Sequence, residues 1–343
     1  MIRVGVIGCG YWGPNLIRAL NEVEEARVTR VADVRPGRRK FIEQRFPAIE
    51  TTSDAREILY STDIDAVVVA TPPEMHSQLA IEALLAGKHV FVEKPLATSV
   101  IDAEKIVETA SRLGKSVAVG HLFLYAPAMV AIRSMLERGE LGQIYYISST
   151  RANLGPPKVR TDVLWDLAPH DISIILDLLG TVPDSLEIQA GRFINLNHSE
   201  TAFLTMHFPG GRLAHIHVSW LTHNKTRILQ LICSERVVVY DDMQPVQKLQ
   251  VFNSGADNRV NASPEDSHQL AYGVGSIWVP ALPNQEPLRV ECEDFIRSIR
   301  DGKPPYSSGQ KALEVVRVLE WASRLIRHEV GHERAAAAPR MAD

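Results

Sequence analysis

The sequence has few cysteines, little excess of either charge and no long hydrophobic run. The three cysteines among 343 residues, Cys9, Cys233 and Cys292, lie far apart, which argues against a disulfide-stabilised fold or a thiolate metal site and favours a reducing compartment. The formal net charge is −4, so general nucleic-acid binding is not expected. No apolar run approaches the roughly 20 residues that span a bilayer, and the start MIRVGVIGCG does not resemble a secretory signal. We therefore expect a cytoplasmic protein without a membrane or nucleic-acid partner.

The first third of the chain alternates short apolar runs with amphipathic stretches. The apolar runs are residues 4–7, 28–32, 66–70, 90–92 and 117–119, and the helical stretches between them are residues 14–20, 38–46, 76–86 and 99–112. The runs lack an in-and-out alternation, which is typical of strands buried on both faces of a parallel sheet. This order predicts an α/β fold with a doubly wound parallel sheet of the Rossmann type.

After about residue 120 the pattern changes to longer, alternating segments. Residues 200–208 and 212–221 flank Pro209-Gly210-Gly211, which predicts a hairpin in a mostly antiparallel, open sheet with one polar face. We predict a nucleotide-binding domain over residues 1–121, an α+β substrate and oligomerisation domain over residues 122–330, and a disordered tail over residues 331–343. The polar-faced sheet also favours a homodimer or homotetramer.

A glycine motif follows the first strand and opens the first helix. Gly8-Cys9-Gly10-Tyr11-Trp12-Gly13 matches G-x-G-x-x-G in the strand–turn–helix context that the motif requires. The glycines permit a tight turn, a close approach of backbone to a pyrophosphate and close helix–strand packing. The helix N-terminus adds free N–H groups and partial positive charge.

The end of the second strand predicts the choice of dinucleotide. Asp33 lies 25 residues after Gly8, where a carboxylate accepts hydrogen bonds from the adenosine ribose of NAD. A 2′-phosphate near Asp33 would be repelled by about 4 kcal/mol at 4 Å and an effective dielectric constant of 20. We therefore expect NAD rather than NADP, although Arg35 and Arg38 lie close enough to meet a 2′-phosphate.

Two more strands end in polar residues at the same edge. Thr71-Pro72-Pro73-Glu74-Met75-His76 follows the 66–70 run, and Glu93-Lys94-Pro95 follows the 90–92 run. Ligands of open α/β sheets bind at the carboxyl ends of the strands. A lysine there can hold a substrate hydroxyl, and a nicotinamide cation would lower the pKa of the lysine. The alternatives are a structural His76 and a solvated Lys94.

Together these motifs resemble the glucose–fructose oxidoreductase/inositol dehydrogenase/MocA (Gfo/Idh/MocA) family. Further matches follow in order, at Val119-Gly120-His121, at Tyr125-x-Pro127, and from Trp165 to Asp171 with Pro169 and His170. The resemblance implies an NAD-dependent enzyme that transfers hydride to or from a sugar hydroxyl. It also implies catalytic roles for Lys94, Asp166 and His170. Asp166 and His170 lie four residues apart on one helix face, and His170 has a suitable pKa for a general base.

The predicted ligand contacts form two sets, and no metal is expected. For the dinucleotide we expect Gly8, Gly10, Tyr11, Trp12, Gly13, Asp33, Arg35, Thr71, Pro72, His76, Glu93 and Lys94. For the substrate we expect Lys94, Tyr125, Arg151, Asn153, Arg160, Asp166 and His170.

The segment 272–280 resembles the branch of the family that acts on nucleotide-linked sugars in biosynthetic pathways. A free polyol such as an inositol is the first alternative substrate. A non-catalytic regulator that retains the dinucleotide fold is the second alternative. The complete set of Lys94, Asp166 and His170 argues against a regulator.

Overall fold

The computed structural model describes residues 1–155, 161–194, 197–253 and 276–336, with side chains up to residue 327. The chain divides into two compact units, one of residues 1–126 with 284–317 and one of residues 127–283 with 318–343. From the sequence, residues 284–317 were expected to belong to the second domain. They group with the first unit because Phe295 packs edge-to-face on Phe91, with 5.7 Å between ring centroids.

The strands and helices are as follows. The strands are β1 (Ile2–Ile7), β2 (Ala26–Ala32), β3 (Glu50–Thr52), β4 (Ala66–Val69), β5 (His89–Val92), β6 (Val117–Val119), β7 (Ile144–Ala152), β8 (Ser185–Gly191), β9 (Thr201–Phe208), β10 (Arg212–Ser219), β11 (Thr226–Cys233), β12 (Val237–Asp241), β13 (Leu249–Phe252) and β14 (Ile277–Trp278). The helices are α1 (Gly13–Asn21), α2 (Pro36–Arg45), α3 (Arg56–Leu59), α4 (His76–Leu85), α5 (Val100–Leu113), α6 (Pro127–Glu137), α7 (Val163–Leu179), α8 (Pro287–Asp301) and α9 (Gly309–Ala336).

The first unit contains a six-stranded parallel sheet in the order β3-β2-β1-β4-β5-β6. This order confirms the predicted doubly wound α/β sheet. The chain reverses its direction of winding between β1 and β4, which creates a crevice at the carboxyl ends of these strands. Helix α5 shows how local sequence sets the flanking elements, because the Ser99 hydroxyl accepts a hydrogen bond from the Asp102 N–H and Gly114 ends the helix at φ +63°.

The second unit contains an eight-stranded sheet in the order β14-β13-β12-β11-β7-β10-β9-β8. Strands β7 and β10 are parallel, and the other pairs are antiparallel, as predicted. Alternation along β10 buries Ala214, Ile216 and Val218 and leaves Leu213 and His215 exposed. Helix α7 packs on β7, β9 and β10.

Helix α9 extends into the start of the predicted tail. Residues 331–336 are helical, whereas the sequence analysis expected disorder from residue 331. Glu333, Arg334, Ala335 and Ala336 are all good helix formers, so the helix continues through them. Across the residues that the structure describes, no helix is both long and apolar enough to cross a membrane.

Candidate active site

The glycine loop between β1 and α1 has the backbone geometry of a phosphate cradle. Gly8 adopts φ +93°, and a Cβ there would lie 2.5 Å from the carbonyl oxygen of Ala70. A Cβ on Gly13 would lie 2.6 Å from the carbonyl oxygen of Gly8. The loop is open at Gly10, where a Cβ would meet only the Arg35 Nη2 at 3.7 Å. These residues fit a dinucleotide pyrophosphate held against the N-terminus of α1.

The two aromatic residues of this loop behave differently. Tyr11 is 87% exposed, whereas Trp12 is half-buried. The Trp12 indole donates a hydrogen bond to the carboxyl group of Glu93, which follows β5. Trp12 therefore joins the glycine loop to the Glu93-Lys94 segment.

Asp33, at the end of β2, lies among hydrogen-bond donors. Its Oδ1 accepts from the Arg35 backbone N–H at 2.9 Å and from Arg35 Nε at 3.0 Å. Its Oδ2 accepts from the Cys9 backbone N–H and from Arg35 Nη2, both at 2.9 Å. Burial alone would raise the pKa of Asp33, but the hydrogen bonds from Arg35 and Cys9 outweigh it and hold the pKa below its ordinary value. Asp33 is therefore ionised at neutral pH.

The loops that follow β4 and β5 are tied together by His76. Its ring is fully buried, with Nδ1 2.7 Å from the Pro95 carbonyl oxygen and Nε2 2.9 Å from the Thr71 carbonyl oxygen. Burial lowers the pKa of His76. The structural alternative for His76 therefore agrees with its position. Thr71 Oγ1 is buried without a hydrogen-bond partner among the described residues, so its hydroxyl is a polar group at the crevice that a ligand would satisfy.

Glu93 and Lys94 stand at the carboxyl end of β5. Lys94 is half-buried and precedes a cis peptide bond to Pro95. The Glu93 Oε2 accepts a hydrogen bond from the Lys94 backbone N–H at 3.2 Å. Burial raises the pKa of Glu93 to about 7, against the opposing effect of the Lys94 charge. This carboxyl therefore titrates near neutral pH, next to the predicted catalytic lysine.

Two buried titratable residues near this segment were not among the predicted site residues. His121 follows β6 and is 1% exposed, and burial together with the Lys94 charge lowers its pKa to about 3. Glu291 on α8 is also 1% exposed, and burial followed by the Glu93 charge raises its pKa well above the ordinary value. Residue 121 appeared only within a motif, and Glu291 stands in a charged helical stretch, so neither position carried a local signal of burial.

Tyr125, which was predicted to bind substrate, is held inside the first unit. Its hydroxyl lies 2.8 Å from Asp294 Oδ2, to which it donates, and accepts from the Ser307 backbone N–H at 3.0 Å. Burial, followed by the charges of Glu291 and Asp294, raises the pKa of Tyr125. These contacts give Tyr125 a structural role, while its contact with substrate stays a prediction.

Helix α7 presents the second set of predicted catalytic residues. The Asp162 side chain accepts a hydrogen bond from the Trp165 N–H and caps the helix. Asp166 and His170 follow on one face and are both half-buried. Pro169 stands inside the helix and has no N–H to donate to the preceding turn. The predicted Asp-x-x-x-His spacing therefore lies on a helix, as expected.

Two contacts fix this helix face against the sheet. The Trp220 indole, just after β10, donates to Asp166 Oδ2 at 3.1 Å. Arg151 on β7 donates to Asp171 through Nε at 2.6 Å and through Nη2 at 3.2 Å, and the Ser149 hydroxyl donates to the same carboxylate at 2.7 Å. The side chains of Arg151 and Asp171 are only 7% and 4% exposed. Arg151 therefore anchors α7 next to His170 through this buried ion pair.

The remaining predicted substrate residues lie beyond β7. Asn153 is half-buried, and its backbone N–H donates to the Ser219 carbonyl at 3.0 Å. Arg160 and the segment 272–275 lie outside the described residues. Within the described ranges, no group of three or more His, Cys, Asp or Glu side chains is arranged to hold a metal ion.

Family models match both parts of the chain. The model for the oxidoreductase family with an NAD-binding Rossmann fold matches residues 2–121, and the model for the GFO/IDH/MocA C-terminal domain matches residues 129–239.

Individual proteins agree with this assignment. The 4-carboxy-2-hydroxymuconate-6-semialdehyde dehydrogenase of a Sphingobium strain is 24% identical over 93% of this chain and 96% of its own length. Inositol 2-dehydrogenase 2 of Saccharopolyspora erythraea is 31% identical over 63% of this chain and 66% of its own length. The structure of UDP-N-acetylglucosamine 3-dehydrogenase from Acidithiobacillus ferrooxidans superposes with a TM-score of 0.81 at 21% identity. The match covers 94% of this chain and 97% of the other chain, and the two proteins share a fold.

Proposed function

The chain belongs to the Gfo/Idh/MocA family of NAD-binding oxidoreductases, and we propose that it transfers hydride between a secondary hydroxyl or ketone of a sugar and the nicotinamide. The observation that carries this proposal is the set of groups at the carboxyl edge of the first sheet. The glycine cradle, the ionised Asp33 and the half-buried Lys94 follow three strands at the edge where ligands of this fold bind.

The proposed chemistry gives one role to each of the predicted catalytic residues. Bound NAD supplies the acceptor for the hydride that leaves the substrate carbon. The Lys94 ammonium donates a hydrogen bond to the substrate oxygen as the carbonyl forms, and His170 takes the hydroxyl proton. Asp166 orients Lys94 or binds a neighbouring substrate hydroxyl. Its hydrogen bond from Trp220 limits the directions in which that carboxylate can act.

For the substrate we propose a nucleotide-activated sugar in a biosynthetic pathway. The resemblance of residues 272–280 to that branch supports this choice, and so does the shared fold with an enzyme whose name gives UDP-N-acetylglucosamine as its substrate. A free polyol is the second candidate, because a 31% identical relative is named as an inositol dehydrogenase.

A substrate panel tests the proposal. Nucleotide sugars and free polyols are offered with NAD+ and NADP+, and reduction is followed by the absorbance of the nicotinamide. Turnover of a nucleotide sugar supports the proposal, and turnover of a polyol alone selects the second candidate. Tight NAD+ binding without turnover of any substrate would favour a regulator.

Two variants with matched controls test the catalytic roles. We expect Lys94→Met and His170→Asn each to lower kcat by about 100-fold or more, the usual contribution of a general acid or base. The controls are Lys40→Met and His223→Asn, since both parent residues are exposed. Undiminished turnover of Lys94→Met or His170→Asn would reject the role of that residue.

We also propose that the outer face of the second sheet pairs two copies of the chain. Helix α7 covers one face, and the other face exposes Tyr146, Phe203 and Leu213 at 44%, 42% and 40%. On the same face, the His217 and Phe203 rings stack with 4.5 Å between their centroids. Light scattering should give a dimer or tetramer, and Phe203→Glu should shift the protein toward the monomer. A wild-type monomer at high concentration would contradict this proposal.

A further inference from the structure

The Asp33 carboxylate has no remaining capacity for another hydrogen bond. An ionised carboxylate offers about four lone-pair directions. Four donors from Cys9 and Arg35 lie at 2.9–3.0 Å, and the Cys9 thiol lies 3.4 Å from Oδ2 as a weaker fifth donor. Burial raises the pKa of Cys9 to about 12, so its thiol keeps the proton that it donates.

Two of these donors, Arg35 Nε and Nη2, belong to a side chain that can move away from Asp33. The Cys9 and Arg35 backbone N–H groups lie in the loops that follow β1 and β2, and Arg35 is also the N-cap residue of α2, so these two donors do not move with the Arg35 side chain. The Arg35 side chain is 56% exposed, while the Asp33 side chain is 4% exposed. The guanidinium can therefore leave the carboxylate for solvent without disturbing the strands.

The guanidinium also lies over the open position of the glycine loop. Its Nη2 is 3.7 Å from the point where a Cβ on Gly10 would stand. In this fold the adenosine ribose binds between the carboxylate at the end of the second strand and the glycine loop. The Arg35 fork presents two N–H donors to Asp33, as the ribose diol presents two O–H donors.

We propose that Arg35 competes with the dinucleotide for Asp33, so that the Arg35 side chain must leave Asp33 before the adenosine ribose binds. The displaced side chain then faces the position of a 2′-phosphate and weakens the rejection of NADP. This inference deepens the proposed function and rests on its dinucleotide site. From the sequence, Asp33 was expected to repel a 2′-phosphate, while Arg35 and Arg38 were named as residues close enough to meet it. With Arg35 beside it, the local charge is close to balanced, and a displaced guanidinium offers a phosphate the bidentate geometry that it favours.

Binding of two cofactor fragments tests the inference separately from catalysis. The ligands are ADP-ribose and its 2′-phosphorylated form, neither of which carries nicotinamide, and affinity is measured by titration calorimetry. For Arg35→Ala we expect ADP-ribose to bind about two- to fivefold more tightly, the size of a partly exposed ion pair. We expect the 2′-phosphorylated ligand to bind about tenfold more weakly, the size of a lost charged hydrogen bond.

Two further variants separate the effect of the Arg35 charge from a general change in the charge of the protein. Arg35→Gln removes the charge with little loss of side-chain length and should shift both affinities in the same directions. Lys40→Ala removes one positive charge from an exposed position on α2 and should leave the ratio of the two affinities within about twofold. Thermal unfolding of each variant shows whether it is folded.

Equal or weaker binding of ADP-ribose to Arg35→Ala would overturn the competition, and unchanged binding of the 2′-phosphorylated ligand would overturn the role in NADP selection. If the wild type turns over none of the substrates but the affinity shifts are observed, the proposed function is contradicted and this inference stands. Failure of the wild type to bind either ligand would contradict both.

Discussion

Replacing Arg151 by Met and Asp171 by Leu, singly and together, distinguishes a structural ion pair from a substrate-binding arginine. The two side chains make a bidentate pair at 2.6 and 3.2 Å and are almost fully buried. Either single change leaves the other charge buried without its principal counterion. Such a change costs about 3–5 kcal/mol in the free energy of unfolding.

This cost converts to a measurable shift in melting temperature. At about 2–4 °C per kcal/mol, each single variant should melt about 6–20 °C below the wild type. The double variant replaces both charges by apolar groups, which is often neutral or stabilising. Ser149 then loses its nearer acceptor and keeps the Ile228 carbonyl oxygen at 3.5 Å, at a cost of about 1 kcal/mol. We therefore expect the double variant to melt within a few degrees of the wild type.

Calorimetry of the four proteins measures the coupling directly. Arg324→Met is the control, because its pair with Glu320 is 63% exposed at the arginine and should be worth at most about 1 kcal/mol. A double variant as unstable as either single variant would refute the reasoning about the ion pair. A stable double variant with a raised KM and an unchanged kcat would instead show that Arg151 binds substrate, as the sequence analysis predicted.

The remaining predictions concern other contacts of the two units. Glu291→Gln should raise the melting temperature near pH 7–8, and the gain should vanish below about pH 4.5. The folded pKa of Glu291 lies above its unfolded value, so ionisation favours the unfolded chain as pH rises; a gain that grows on acidification would contradict this sign. Trp220→Phe removes a hydrogen-bond donor to Asp166 and should lower kcat/KM several-fold, because the orientation of the Asp166 side chain is then less fixed; an unchanged kcat/KM would separate Asp166 from the reaction. Ser99→Ala should cost about 1 kcal/mol of unfolding free energy, measured by denaturant titration, through loss of the α5 cap; Ser111→Ala, late in the same helix, should cost less.

Most strands of the first sheet were predictable because they are short apolar runs, rich in β-branched residues, that alternate with helical stretches. The exception is β3, whose three residues Glu50, Thr51 and Thr52 are polar and half-exposed and carry no apolar signal. The glycine loop was predictable for a similar reason, since positive φ at Gly8 and the close approach at Gly13 require glycine.

Other features depend on partners far away in the sequence. The alternation along β7 groups Arg151 with polar residues expected to face substrate. The buried partner of Arg151 is Asp171, which lies on α7, twenty residues later. The grouping of residues 284–317 with the first unit depends on Phe295 meeting Phe91, about 200 positions earlier. The sequence motif for Asp33 is local, but the engagement of both its oxygens by Arg35 is a matter of side-chain conformation that no spacing rule encodes.

The central proposal is that Lys94 and His170 act on the same substrate oxygen. A crystal structure of the protein with NADH and a substrate or competitive inhibitor measures this directly. We expect Lys94 Nζ and one ring nitrogen of His170 both to lie about 2.6–3.2 Å from the reacting hydroxyl or carbonyl oxygen. A complex in which either side chain points away from that oxygen, with the nicotinamide in place, would contradict it.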